Sequence, residues 1–316
     1  MISQKKRLIT TLIRIIIGSV FIIGAILKLY PIEPLEILLV KLNISNWFLS
    51  SFFARFIICF ELILGILLVF NISLKKTLYL SAITLVGFTL FLLYFRFIFG
   101  SNDNCGCFGS IIQMKPIESI IKNIVLLALI VFLIIKSDYR YWTWKKIKPF
   151  LTVFIIIAGT ATPFILNTVN IYDDEGFYVI KPGMRVEGKD LENINFNNKQ
   201  INLLEGRKLL CFYSVECPVC KYSASKLSVI QRKSKNTLSI YIIFLDNKNK
   251  DTLLPEFLKE TDVNNIPYTI FDAKRFYKIS DKDIPFLMYL ENGEIINLSN
   301  YRDMDPDYVI KFLTEQ

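Results

Sequence analysis

The sequence predicts a membrane α-helical bundle of four spans plus a fifth linking helix, followed by a small α/β domain. Three observations point there. The 316 residues are 53% hydrophobic with a mean hydropathy of +0.43 and only 21% charged side chains, too apolar for a soluble chain of this length. Apolar runs of about 20 residues, enough to cross a bilayer core of about 30 Å, fill the first half of the chain. Charge divides at the same place: residues 1–170 hold 17 basic and 6 acidic side chains, residues 171–316 hold 20 and 22. The net charge of +9 therefore belongs to the apolar half, where membrane topology accounts for it and no nucleic-acid partner is expected.

The spans fall near residues 8–28, 50–71, 77–99, 117–136 and 149–169. Lys5, Lys6 and Arg7 precede the first. Lys28, Tyr30, Pro31 and Glu33 stand where a signal peptide would carry a small-residue cleavage site, so this span is expected to be retained. Cytoplasmic loops carry the Lys/Arg excess. The rule puts the N-terminus, Lys75 with Lys76, and the loop bearing Arg140, Lys145, Lys146 and Lys148 in the cytoplasm, and the loops 29–49 and 100–116 outside. The fifth span contains Pro163, which membrane helices tolerate, and it carries the rest of the chain outward. The expected division is a four-helix membrane domain over 1–136, a basic cytoplasmic loop and fifth helix over 137–170, and an extracytoplasmic domain over 171–316. The expected location is a bacterial plasma membrane.

In the last segment the hydrophobic period changes. Apolar runs at 208–214, 238–245, 267–271 and 286–290 read as strands, and helical patterns fit 218–232, 253–261 and 306–314. Asn292-Gly293 marks a hairpin turn into a strand over 294–298. Alternating strands and helices of this length make a mixed-sheet α/β domain.

The chain contains no histidine, which excludes Ser-His-Asp and Cys-His catalysis, His-ligated haem and iron, and most zinc sites. Six cysteines remain, and four form the close pairs Cys105-Gly-Cys107 and Cys217-Pro-Val-Cys220. The second pair sits where a strand ends and a helix begins. Partial positive charge at a helix N-terminus lowers a thiol pKa, so Cys217 is the expected nucleophile and Cys220, one turn in, resolves the mixed disulfide. A structural disulfide or a zinc half-site are the alternatives; without histidine and with two soft ligands, the latter is incomplete. Ile284-Pro285 precedes the strand at 286–290, and a cis proline there would present backbone to a bound peptide. Cys211 is expected to be a small buried hydrophobe of the strand, and Cys59 a core thiol of the second span.

Strand, C-x-x-C, helix and a distant Ile-Pro before a hairpin resemble the thioredoxin superfamily, in its membrane-tethered TlpA-like branch, over residues 180–316. The resemblance implies thiol–disulfide exchange with cysteine-containing proteins outside the plasma membrane. Two positions depart from the pattern: Glu216 stands where the family has Trp, and Cys211 where it has a buried Asp, six residues before the first cysteine. The carboxylate base for Cys220 is thereby missing.

The pair Cys105-Gly106-Cys107 closes only a small ring, far from relaxed disulfide geometry, which suits a readily reduced redox pair better than a staple. Asn104-Cys105-Gly106-Cys107-Phe108-Gly109, together with residues 14–28 and Glu61-Leu62-Ile63-Leu64-Gly65, resembles the methylamine utilisation protein MauE family, relatives of DoxX-like membrane proteins, over residues 8–136. That resemblance implies maturation of disulfide-rich periplasmic proteins, notably of the methylamine dehydrogenase type. The layout is also similar to vitamin K epoxide reductase homologues, which implies a quinone as electron acceptor.

An ionisable side chain in the middle of a span costs about 2.5–3.5 kcal/mol on insertion scales. Glu61 lies deep in the second span and is expected to pair with Arg14 or to hold a proton. Lys28, Arg55 and Arg96 lie near the outer ends of their spans; they are expected to stabilise a thiolate or a reduced quinone, or to snorkel to lipid phosphate. The leading reading is a membrane thiol–disulfide oxidoreductase acting through Cys217, Cys220, Cys105 and Cys107. An anchored TlpA-like reductase, a DsbD-like electron conduit from the cytoplasm and a non-enzymatic assembly factor are the alternatives.

Overall fold

The computed structural model describes residues 2–99, 115–136, 147–168, 194–197, 199–235, 237–280, 284–301 and 304–314. The chain forms two compact units, Met1–Val169 and Asn170–Gln316. Cys105 and Cys107, the aromatic and basic residues of the 137–146 loop, and residues 170–193 lie outside the described residues.

In the first unit, α1 (Ile2–Leu29), α3 (Trp47–Val69), α4 (Leu74–Phe99), α5 (Pro116–Lys136) and α6 (Lys148–Leu166) are each long and apolar enough to cross a membrane. The interval read as a plain outer loop contains a further helix, α2 (Glu33–Lys41). Pro34 in its first turn, Glu33 and Glu36 at its positive end and Lys41 at its negative end supply the start and stop signals of a short helix. Its length lies below what crosses a bilayer, so span-scale hydropathy passes over it.

Apolar side chains gain nothing by leaving acyl chains for one another, so helix association in lipid rests on close packing. Gly18 of α1 and Gly65 of α3 provide it: a Cβ on Gly65 would stand 2.8 Å from the Gly18 carbonyl oxygen and 2.7 Å from Ile22 Cγ1. Gly159 of α6 fits against Ile63 of α3 in the same way, and Cys59 Sγ donates to the Thr160 carbonyl across that contact. Helix α3 is thus shared by both packings. Ile17, Phe21, Leu64, Leu68, Leu85 and Ile130 fill the space among α1, α3, α4 and α5. Phe97, Ile135 and Phe150 point away from the protein, as lipid-facing groups should.

The second unit has a five-stranded sheet of order β5-β4-β3-β6-β7, from β3 (Arg207–Tyr213), β4 (Ile240–Leu245), β5 (Tyr268–Phe271), β6 (Phe286–Glu291) and β7 (Glu294–Ser299). Strands β3, β4 and β5 are mutually parallel; β6 runs antiparallel to β3, and β7 to β6. Asn292 and Gly293 both adopt positive φ in the β6–β7 turn, as the Asn-Gly dipeptide requires. The helices are α7 (Pro218–Lys233), α8 (Lys250–Thr261), α9 (Ala273–Ser280) and α10 (Pro306–Thr314). This is the thioredoxin-like topology expected from the sequence.

Alternation along β3 divides its side chains between two layers. Leu210 and Phe212 join Met288, Ile243 and Phe276 on the face covered by α9 and by a small hairpin, β1 (Ile194–Phe196) with β2 (Lys199–Ile201). Cys211 and Tyr213 take the other face. There Phe257 of α8 packs on Tyr213 and Phe244, and Phe312 of α10 on Tyr289. The hairpin and α9 carry weak sequence signals because both are short and lean on the sheet for stability.

Replacing Gly65 with Leu is expected to destabilise the bundle by about 1–3 kcal/mol, because backbone atoms of Gly18 and Ile22, and not the Ile22 side chain alone, obstruct the new atoms. Gly87→Ala, which meets nothing within 4 Å, is expected to be neutral; thermal unfolding in detergent compares the two.

Candidate active site

Strand β3 delivers the C-P-V-C segment to the end of the sheet, and α7 starts there with Cys217 as its N-cap. Cys217 has extended backbone geometry, and its Sγ accepts from the Cys220 amide at 3.2 Å, taking the place of the usual Ser or Asp oxygen. Pro218 at the first helical position needs no acceptor for an amide and presets the helical φ. Cys217 is partly exposed whereas Cys220 is fully buried. The two are in the dithiol form.

The environments split the two thiols. A hydrogen bond from the Cys220 thiol and the amides of Cys220 and Val219 outweigh partial burial and bring Cys217 down to about 7 from 9.0. Burial, aided by the adjacent Cys217 thiolate, pushes Cys220 well above the ordinary range. One sulfur is a partly exposed thiol that ionises near neutrality; the other is a buried thiol one helical turn away. This division of labour is what a thiol–disulfide exchange site requires.

The β3–β6 register pairs Phe212 with Phe286, so Pro285 stands at the sheet end from which Cys217 emerges. The Ile284–Pro285 peptide is cis. Glu216, exposed beside Cys217, accepts from Asn249 Nδ2 at 2.9 Å, and Lys221 pairs with Glu260 at 2.7 Å, tying the rim of the site to α8. Cys211 is completely buried, as the sequence suggests, and burial raises its pKa.

In the membrane unit the partner of Glu61 is Lys28 and not Arg14. Lys28 Nζ lies 2.7 and 2.9 Å from the two carboxylate oxygens, with both side chains less than 10% exposed. Lys28 therefore does not snorkel: the carboxylate, and the Phe88 ring 5.6 Å from the ammonium, hold it inside the bundle. Arg55 is turned inward too. It donates to Glu36 Oε1 at 2.6 Å and to the carbonyls of Ser51, Asn167 and Thr168, clamping the end of α6 onto α2 and α3. Arg96 is exposed. Sequence distance to a span end could not reveal these inward partners.

Two adjoining cavities flank the Lys28–Glu61 pair and share Phe88, Lys122 and Asn123 in their walls. Lys122 and Asn123 escaped the sequence reading; a lysine two turns into the fourth span was the available signal. The cavities thus combine N–H donors, one carboxylate and an aromatic face within an apolar bundle.

Comparison with known proteins finds likenesses to each part of the chain and to nearly its full length. Residues 6–136 match the family model for methylamine utilisation protein MauE. Protein TlpB from Flavobacterium psychrophilum is 29% identical over 334 residues, spanning 91% of this chain and 90% of that relative. Solved structures similar to the second part include MTB DsbF, at 13% identity, 41% of this chain, 97% of that one and a TM-score of 0.33. A secreted Mycobacterium tuberculosis disulfide oxidoreductase homologous to E. coli DsbE is another, at 12%, 40%, 98% and 0.32. The five spans and the C-P-V-C site together describe a multi-pass membrane protein that carries the geometry of a thiol–disulfide exchange site.

Iodoacetamide should alkylate reduced Cys217 with a pH midpoint of about 7, the rate rising as the thiolate forms and levelling above it. Cys220 should remain unmodified at neutral pH, and Cys217→Ser should remove the fast phase; peptide mass spectrometry reads both. In the bundle, Lys28→Met should cost about 3–5 kcal/mol by stranding the Glu61 carboxylate, and adding Glu61→Leu should restore most of it. Denaturation of both variants in mixed micelles tests this pairing.

Proposed function

We propose that the chain oxidises cysteine pairs of exported proteins at the outer face of a bacterial plasma membrane and passes the electrons through Cys105 and Cys107 to a quinone. The observation that carries the first step is the split between Cys217, partly exposed and lowered toward neutrality, and Cys220, buried and raised. A substrate thiolate attacks Cys217 in the Cys217–Cys220 disulfide, and Cys220 leaves with the electron pair. The second substrate thiol then displaces Cys217, leaving a substrate disulfide and a reduced C-P-V-C pair. Exchange with a Cys105–Cys107 disulfide restores the oxidised site.

Lysine and arginine counting supports the orientation, since it puts C-G-C and C-P-V-C on one side. Bound quinone would accept two electrons and two protons. Lys28, Lys122 and Asn123 offer N–H donors to its carbonyl oxygens, and the Glu61 carboxylate offers an acceptor once those oxygens carry protons. Disulfide-rich proteins of the methylamine dehydrogenase type are one substrate class that the likeness to MauE suggests.

Cys220→Ala leaves Cys217 able to attack and unable to be released. Mass spectrometry of this variant purified from native membranes is expected to find Cys217 linked to exported proteins and to Cys105 or Cys107. Links to foreign proteins alone, with Cys105 and Cys107 unchanged, would replace the relay with an anchored, TlpA-like reductase.

A further inference from the structure

Thiol exchange at Cys217 makes and unmakes a thiolate on Cys220, which is completely buried. Such a charge needs a hydrogen-bond donor or a proton close by, since an unpaired buried anion is strongly disfavoured. In the family that this segment resembles a buried carboxyl group stands at the position of Cys211, and here that position holds a thiol. The Cys217 thiol, the Ser214 amide and the Cys220 amide are the groups that act on Cys220 directly.

Behind Cys220 lies a buried pair of hydroxyls. Tyr213 ends β3 on the α7-facing side, and Ser223 follows Cys220 by three residues, one turn along the buried face of α7. Their oxygens are 2.7 Å apart, and both residues are completely buried. Two hydroxyls hold two O–H donors, and the bond between them uses one. The other must find an acceptor inside the protein, because no water reaches the pair. Two sulfurs belong to the same layer: Cys211, two residues before Tyr213 on the same face of β3, and Cys220, one turn before Ser223 on the buried face of α7.

We propose that Tyr213 and Ser223 are the positioning residues that hold the Cys220 thiolate as it forms, in place of a buried carboxyl group. The inference rests on the thiol-exchange reading. When a substrate thiolate bonds to Cys217 Sγ, the Cys217–Cys220 bond breaks and its electron pair stays on Cys220. The spare O–H of the pair turns to the new thiolate, a strong acceptor. The proton that finally quenches Cys220 is the one the substrate thiol released on ionising. Tyr213 keeps its own proton throughout, because burial and the neighbouring thiols hold it as a phenol. A hydroxyl pair therefore assists Cys220 as a leaving group and, being no base, gives little help in removing its proton.

Full-length oxidised protein in detergent is mixed with reduced glutathione, which attacks Cys217 and expels Cys220, and the rate is followed by stopped flow. Tyr213→Phe and Ser223→Ala are each expected to slow this step about 10-fold or more. Ser223→Thr, which keeps the hydroxyl, should restore it. The alkylation midpoint and alkylation rate of reduced Cys217 should stay at their starting values in all three variants, a result that loss of packing alone would not give. Unchanged glutathione rates in both Tyr213→Phe and Ser223→Ala, or an equal fall in Cys217 alkylation, overturns the assignment. The trapped partners of Cys217 in Cys220→Ala do not depend on this pair, so the outcome is separable from failure of the exchange reading itself.

Discussion

A sulfur atom caps the first turn of α7, and the chemistry of the second unit follows from that contact. Cys217 Sγ can accept from the Cys220 amide only if the chain leaves β3 in extended geometry and turns at once into a helix. The turn buries Cys220 beneath the helix and leaves Cys217 at the edge. Amides and a neighbouring thiol then stabilise charge on the outer sulfur, while desolvation opposes it on the inner one. Nucleophile and resolving thiol are thus distinguished by position along one helical turn.

The membrane unit is governed by the opposite problem, charge placed where nothing solvates it. Glu61 and Lys28 neutralise each other deep in the bundle, and Arg55 finds Glu36 and three backbone carbonyls. The Arg55 contacts fix where α6 ends and the chain departs for the second unit. Close approach at Gly18, Gly65 and Gly159 draws α1, α3 and α6 together, so the charges have partners within reach. Small residues and ionic pairs are coupled features of one packing arrangement.

Much of this was legible along the chain. Five runs of span length, the change of hydrophobic period after residue 200, the C-P-V-C spacing at a strand–helix junction and the Asn-Gly turn are local signals, and each produced the expected element. Glu61 is recognisable as an intramembrane charge that needs Arg14 or a proton, yet the group that meets it is Lys28. Pairing depends on which helix faces α3 at that depth, and hydropathy does not encode helix rotation. Lys28 and Arg55 read as snorkelling groups for the same reason: sequence measures distance to a span end, while an ion pair inside the bundle competes on energy. The short helices α2 and α9 and the β1–β2 hairpin escaped because each is held by its neighbours and has little propensity of its own.

The sequence by itself determined the two-part architecture and the place of the C-P-V-C pair at a strand–helix junction, since period, spacing and capping are properties of consecutive residues. Tertiary structure alone decided which charges meet in the bundle and which hydroxyls stand behind Cys220. Tyr213 and Ser223 lie on a strand and a helix, and only alternation in β3 combined with the seat of α7 on that face brings their oxygens within 2.7 Å. Contacts between elements depend on how those elements pack, and packing is settled by the whole core at once.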